Sequence, residues 1–159
     1  MKVALVNGDY PRREVVARGL SYKLGHARVE AFEYVENVLL SSMDYEVFVV
    51  YNNFGHYTSG VQGAQAIRDK APNALIIGVS ATPYADRRFL SAGADDFLLL
   101  AGNEITELAN IIERNLARRA TAAVNGLPSA NPRAPALAPS ARGSREGGSD
   151  KPITNEPRR

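Results

Sequence analysis

Few side chains in this sequence can do chemistry, and most of them fall in turns that follow short apolar runs. Asn7-Gly8-Asp9 offers one carboxylate, Tyr51-Asn52 a phenol and an amide, and Ser80 with Thr82 two hydroxyls. A carboxylate can ligate a hard cation such as Mg²⁺, but a single one makes a poor site, so Asp9 reads first as a helix N-cap. Ser80 and Thr82 can hold a phosphate, and they can equally cap a helix beginning near Pro83, which is the simpler reading. The run Asn52–Gly60 (NNFGHYTSG) is polar and aromatic and could cradle a flavin or a nucleotide against the backbone amides of the helix that follows. It carries no Walker or dinucleotide fingerprint. His56 within it reads as a loop residue rather than a base. The pairs Arg12-Arg13, Arg87-Arg88 and Arg118-Arg119 read as solvated helix faces.

Composition removes several classes of function. The 159 residues contain no cysteine and two histidines, so disulfides, thiolate metal sites and cysteine nucleophiles are excluded and a histidine metal site is disfavoured. No apolar run approaches the length of a membrane span. The opening MKVALVNGDY is too short in its apolar part for a signal peptide and reads as a first strand, which makes a cytoplasmic protein the expectation. Residues 1–119 hold 13 basic and 14 acidic side chains, and residues 120–159 hold six and three. The basic character therefore belongs to the C-terminal part, and the rest gives no electrostatic reason to expect nucleic acid.

The elements that must position these residues alternate in type. Apolar runs at Lys2–Val6, Arg28–Phe32, Glu46–Tyr51, Asn73–Ser80 and Phe97–Leu100 read as strands, the third and fourth buried on both faces. Between and after them, helical spacing predicts helices over Arg12–Leu24, Glu33–Ser42 and Gly60–Lys70, one starting near Pro83, and a last one capped by Asn103. On the first helix Val15, Val16, Leu20 and Leu24 mark the expected core face; on the last, Ile105, Leu108, Ile111, Ile112 and Leu116 do. Gly25 and Gly93 are natural stops. Five strands alternating with five helices predict an α/β domain with a doubly wound parallel sheet. Its functional edge lies at the carboxyl ends of the strands, where Asn7–Asp9, Tyr51–Asn53, Ser80–Thr82 and Leu100–Gly102 would gather. After about Ala120 the chain turns to Pro, Ala, Gly, Ser and Arg, with Leu127, Leu137 and Ile153 as its large aliphatics, and residues 120–159 are expected to be a disordered tail.

Taken together, the Glu46–Tyr51 strand, Gly60, Ser80-Ala81 and above all Gly93-Ala94-Asp95-Asp96-Phe97-Leu98 resemble the receiver domain of bacterial response regulators. The resemblance covers about residues 1–119 and implies a flavodoxin-like five-stranded sheet of order 2-1-3-4-5. Receivers take a phosphoryl group on an aspartate that ends the third strand, beside Mg²⁺ held by an acidic pair, with a Ser or Thr and a Lys on the phosphoryl oxygens. Carried across, the acidic pair falls on Asn7 and Gly8, with Asp9 next to them. The acceptor falls on Tyr51 counting from the strand, or on Asn52 counting back from Gly60. The hydroxyl position is Ser80, and the lysine position is Leu100. Neither Asn nor Gly supplies the lost carboxylates, and Leu cannot donate to a phosphoryl oxygen. The resemblance therefore implies a pseudo-receiver: a non-enzymatic signalling module without a cofactor, acting through a protein partner such as a kinase or an output protein. Its contact surface is expected around Arg87, Phe97 and Glu104, no membrane or nucleic acid is involved, and a homodimer is compatible. Two other readings stand beside it: a flavin- or nucleotide-binding protein using Asn52–Gly60, and an atypical response regulator phosphorylated on Asp9 or another carboxylate. Asp95 and Asp96 fall where the family places them at the surface.

Overall fold

The computed structural model describes residues 1–52 and 58–125. Its elements run β1 (Lys2–Val6), α1 (Tyr10–Lys23), β2 (Arg28–Phe32), α2 (Val35–Leu39), β3 (Val47–Tyr51), α3 (Gly60–Lys70), β4 (Leu75–Ser80), α4 (Ala85–Ser91), β5 (Asp96–Leu99) and α5 (Glu104–Val124). All strand pairs are parallel and the sheet order is β2-β1-β3-β4-β5. This is the doubly wound, flavodoxin-like arrangement with five helices expected from the alternation of elements.

Why the central strands are continuously apolar follows from their two covers. Every residue of β3 and β4 is buried. Val47, Val49 and Tyr51 face α1 and α5, where Val16, Leu20, Leu108 and Ile112 meet them. Phe48 and Val50 face the other way, toward Val35 and Val38 of α2, Ala64 and Ile67 of α3, and Phe89 of α4. The period-2 alternation of a strand thus divides one apolar run between two cores.

The helix ends depart from expectation in instructive ways. Asp9 caps α1 as predicted, accepting from the Arg12 amide at 3.2 Å, and the helix starts two residues earlier, at Tyr10. Its buried face is Arg13, Val16 and Leu20, whereas Val15 is 62% exposed. The second helix is shorter than the predicted Glu33–Ser42: the Leu40 and Ser41 amides bond to Glu36 and Val38, the Ser41 hydroxyl bonds to the Val38 carbonyl, and Met43 turns away at φ 55°. Pro83 does not lie in the first turn of α4. Tyr84 takes a left-handed conformation (φ 66°) and the helix starts only at Ala85. Asn103 occupies the N-cap position of α5, yet its side chain makes no capping bond. Helix α5 runs to Val124, past the boundary at Arg119. Residues 126–159 of the expected tail lie outside the described residues.

Candidate functional site

Backbone ladders carried past the strand ends build one edge. The Asn7 amide bonds to the Phe32 carbonyl (3.0 Å), the Asn52 amide to Val79 (2.8 Å) and the Leu100 amide to Ser80 (2.9 Å). Asn7, Asn52, Ser80 and Leu100 are thereby brought to the carboxyl edge of the sheet, as the alternation of elements requires. Helix α3 starts directly on it. A Cβ at Gly60 would lie 2.3 Å from the Tyr51 carbonyl oxygen, so only glycine lets the helix come this close to the end of β3. Of the Asn52–Gly60 loop weighed as a ligand cradle, residues 53–57 lie outside the described residues. Ser59 serves α3 in a reciprocal capping box with Gln62.

Asn7, Asp9, Ser80 and Leu100, all predicted site residues, are engaged locally on this edge. The Asn7 side chain is buried; its Oδ1 accepts from the Asp9 amide at 2.9 Å, while its Nδ2 has no partner among the described residues. Gly8 is half-buried, and Asp9 spends an oxygen on the α1 cap. Ser80 is buried, and its Oγ accepts from the Thr82 amide at 3.0 Å. That closes a local turn, so Ser80 does not cap α4, which begins too late for it. Leu100 packs against the α1–α5 core, the role its apolar side chain dictates.

Three residues form a network that sequence spacing did not disclose. Tyr51, at the end of β3, is buried and its hydroxyl donates to the Glu104 carboxylate at the start of α5. Arg12, on α1, holds the same carboxylate with Nε at 3.0 Å and Nη2 at 2.9 Å from Oε2. Burial, then the bond to Glu104 and its negative charge, push the Tyr51 phenol well above its usual range, while Arg12 acts in the opposite direction. The bond to Glu104 likewise raises the Arg12 guanidinium. Arg13 is buried as well and donates to the Asn7 carbonyl at 2.8 Å, beside the Tyr10 ring. Arg13 is thus not part of a solvated face, while Arg12 stays exposed with its guanidinium held by Glu104. The signal was present for Arg13, since positions 13, 16 and 20 share one side of the helix; its charge argued against burial, and the carbonyl of Asn7 supplies the bond that permits it.

The expected interaction face is divided. Arg87 is exposed on α4, and Phe97 is half-buried 5.7 Å from the Phe89 ring. Glu104 keeps only 10% of its side chain exposed and turns toward α1, so it does not join the other two. The Gly93–Leu98 motif has a structural role at the opposite edge. Asp95 accepts from the Ile76 amide (2.8 Å) and pairs with Arg68 (2.7 Å) and Arg119 (2.9 Å), with 12% of its side chain exposed. Asp96 receives Arg114 and Asn115 at 2.8 Å each. Neither aspartate is the free surface group the family pattern implied, because two elements deliver arginines to the first and α5 delivers both partners of the second. An open groove beside α1 and β2, with Glu14, Arg18, Tyr22 and His26 on its walls, contains none of the predicted site residues.

The resemblance implies a divalent cation, and the residues present do not fit one. Asn7 Oδ1, Asp9 Oδ1 and Ser80 Oγ already accept from backbone amides, and a guanidinium occupies the Asn7 carbonyl. A cation in their midst would face N–H donors and a fixed positive charge. Among the described residues no three His, Asp or Glu side chains gather.

The sequence matches no family model, and no curated relative was found for it. Solved structures do resemble it. The response regulator DrrB of Thermotoga maritima, an OmpR/PhoB homologue, superposes with a TM-score of 0.64 at 24% identity, over 74% of this chain and 52% of that one. The chain has the receiver fold. It spans about half of full-length DrrB (52%) but 97% of the beryllofluoride-activated DrrB receiver domain, at TM-score 0.61 and 24% identity over 74% of this chain. The chemotaxis protein CheY4 of Vibrio cholerae matches at TM-score 0.62 and 18% identity, over 71% of this chain and 96% of its own. The receiver fold sets Tyr51 and Asn52 at the end of its third strand and Leu100 just past its fifth; the Tyr51 hydroxyl is bonded to Glu104, and Leu100 packs against the core.

Proposed function

We propose that this chain is a receiver-like signalling module that works without phosphorylation, by contact with a protein partner in a pathway of the two-component type. One observation carries the reading: the end of β3 presents Tyr51 and Asn52 in place of a carboxylate, and the Tyr51 hydroxyl is bound to Glu104. A phenol so engaged and so far above its usual pKa is no phosphoryl acceptor at neutral pH. Asn7 and Gly8 supply no carboxylate for Mg²⁺, and Leu100 supplies no cation for a developing phosphoryl charge. The module is non-enzymatic, and a kinase or an output protein suits it as partner. Its place is the cytoplasm; no helix among the described residues is long and apolar enough to cross a membrane. Arg87 and Phe97 remain as the nearer parts of the contact face, and charge reversal at Arg87 is expected to weaken partner binding.

The test is an amide-shift titration of the ¹⁵N-labelled protein with Mg²⁺ and beryllofluoride. The expected result is no response at Asn7–Asp9, Tyr51, Asn52 and Ser80. Saturable shifts at those amides would overturn the reading and restore phosphoryl chemistry on a carboxylate such as Asp9. A yellow preparation, or a thermal shift with flavin or nucleotide, would instead favour ligand binding by the Asn52–Gly60 loop.

A further inference from the structure

The bonds of Glu104 join three elements, β3, α1 and α5, at this edge. Its Oε1 accepts from the Tyr51 hydroxyl at the end of β3, and its Oε2 takes the fork of Arg12 from the first turn of α1. Glu104 is the first residue of α5, where a carboxylate also answers the positive end of the helix. Both carboxylate oxygens are satisfied, and a planar guanidinium fork fixes the orientation of the group it binds. The next residue of α5 packs tightly on α1: a Cβ at Gly19 would lie 2.5 Å from the Ile105 side chain. Compared with a receiver, the charges have changed places. The strand end carries a hydroxyl, the anion comes from α5 and the cation from α1.

We propose that Tyr51, Glu104 and Arg12 are a built-in latch that fixes the starts of α1 and α5 against the end of β3 in a single arrangement. This deepens the phosphorylation-independent reading and rests on it: the carboxyl edge is set by the chain's own side chains, where a receiver leaves that position to a phosphoryl group. A hydrogen bond from a buried phenol to a carboxylate gives the latch its specificity, because Phe fills the same space without the bond. Neither Tyr51 nor Glu104 is available to a ligand while the latch is closed, and losing any one member breaks the three-way link.

Hydrogen exchange on the full chain, without Mg²⁺ or any phosphoryl mimic, tests it. Tyr51→Phe, Glu104→Gln and Arg12→Met are each expected to speed exchange about tenfold at amides 12–16 and 105–110, including the segment that does not carry the substitution. Amides around Ile76 and Asp95, held by a separate network, should stay within about twofold. Tyr51→Phe is the decisive variant, since it keeps the ring and the charge balance and should fold. The double variant Tyr51→Phe/Arg12→Met should exchange no faster than about twice the faster single one, because each single loss already opens the latch. Unchanged exchange at 105–110 in Tyr51→Phe, or an equal rise at every amide, would overturn the proposal. The beryllofluoride titration of the unaltered protein is independent of this result. A positive titration with normal coupling would remove the phosphorylation-independent reading alone, and a negative one without coupling would remove the latch alone.

Discussion

Replacing Tyr51 by Phe should cost stability at neutral pH and should cost less as the solution becomes alkaline. The ring stays, so the packing against Val49 and the α1–α5 core is kept. What goes is one hydrogen bond to an ionised carboxylate, for which about 1.5–3 kcal/mol is typical, and Glu104 still keeps Arg12. The lower end, about 1.5 kcal/mol, is therefore expected, or a fall in Tm of about 3–6 °C for a domain of this size. The pH dependence follows from burial and Glu104, which raise the Tyr51 phenol. In the unfolded chain a tyrosine begins to ionise near pH ~10, while folded Tyr51 keeps its proton. The unfolded state then binds fewer protons than the folded one, so wild-type stability falls with rising pH, by at most about 1.4 kcal/mol per pH unit. The Phe variant lacks this loss. Burial raises Tyr45 too, but both proteins share it and it cancels in the difference. Urea denaturation followed by circular dichroism, at pH ~7.5 and again near pH ~11, should show the gap shrinking by about 1 kcal/mol. A gap below about 0.5 kcal/mol at neutral pH, or one that does not change with pH, would refute the assignment of the hydroxyl to Glu104.

Other perturbations have equally definite outcomes. Asp95→Ala strands the Ile76 amide and two arginines, and by the usual cost of breaking a largely buried pair should lose about 3–5 kcal/mol in urea denaturation. Asp95→Asn keeps the Ile76 acceptor, and about half that loss is expected; equal losses would show that the two arginine pairs are the whole effect. Gly60→Ala drives a methyl group to 2.3 Å from the Tyr51 carbonyl and should lose about 3 kcal/mol, whereas an Ala that raised the melting temperature would mean that α3 starts elsewhere. Lys2 and Ser42 hold the Asp44 carboxyl at about 2, so its contribution is present above the ordinary carboxylate range and is lost as pH falls through about 2. Lys2→Met should return the Asp44 titration, followed by side-chain NMR, toward the ordinary carboxylate value; an unchanged midpoint would exclude the Lys2 pair as its main cause.

By itself the sequence determined the layered architecture. Strand and helix periods are set by backbone geometry, so an apolar run such as VFVVY between turn residues has few places other than the middle of a parallel sheet. Local chemistry also fixed Asp9 as a cap and Gly93 as a stop, because caps answer to neighbours within a few residues. The same alternation places Asn7, Asn52, Ser80 and Leu100 at one edge. Other features depended on partners distant along the chain. Tyr84 delayed α4 by adopting a left-handed turn where a helix was expected to start near Pro83, and Arg13 entered the interior because the Asn7 carbonyl could receive it. The acidic residues show the limit most directly. Asp95 and Asp96 looked like surface groups until Arg68, Arg119, Arg114 and Asn115 came in from α3 and α5. Glu104 looked like part of an outer face until Arg12 and Tyr51, 92 and 53 positions away, claimed it. A side chain's charge is written in the sequence; whether that charge faces solvent depends on which counter-charges the fold delivers, and only the tertiary structure decides that.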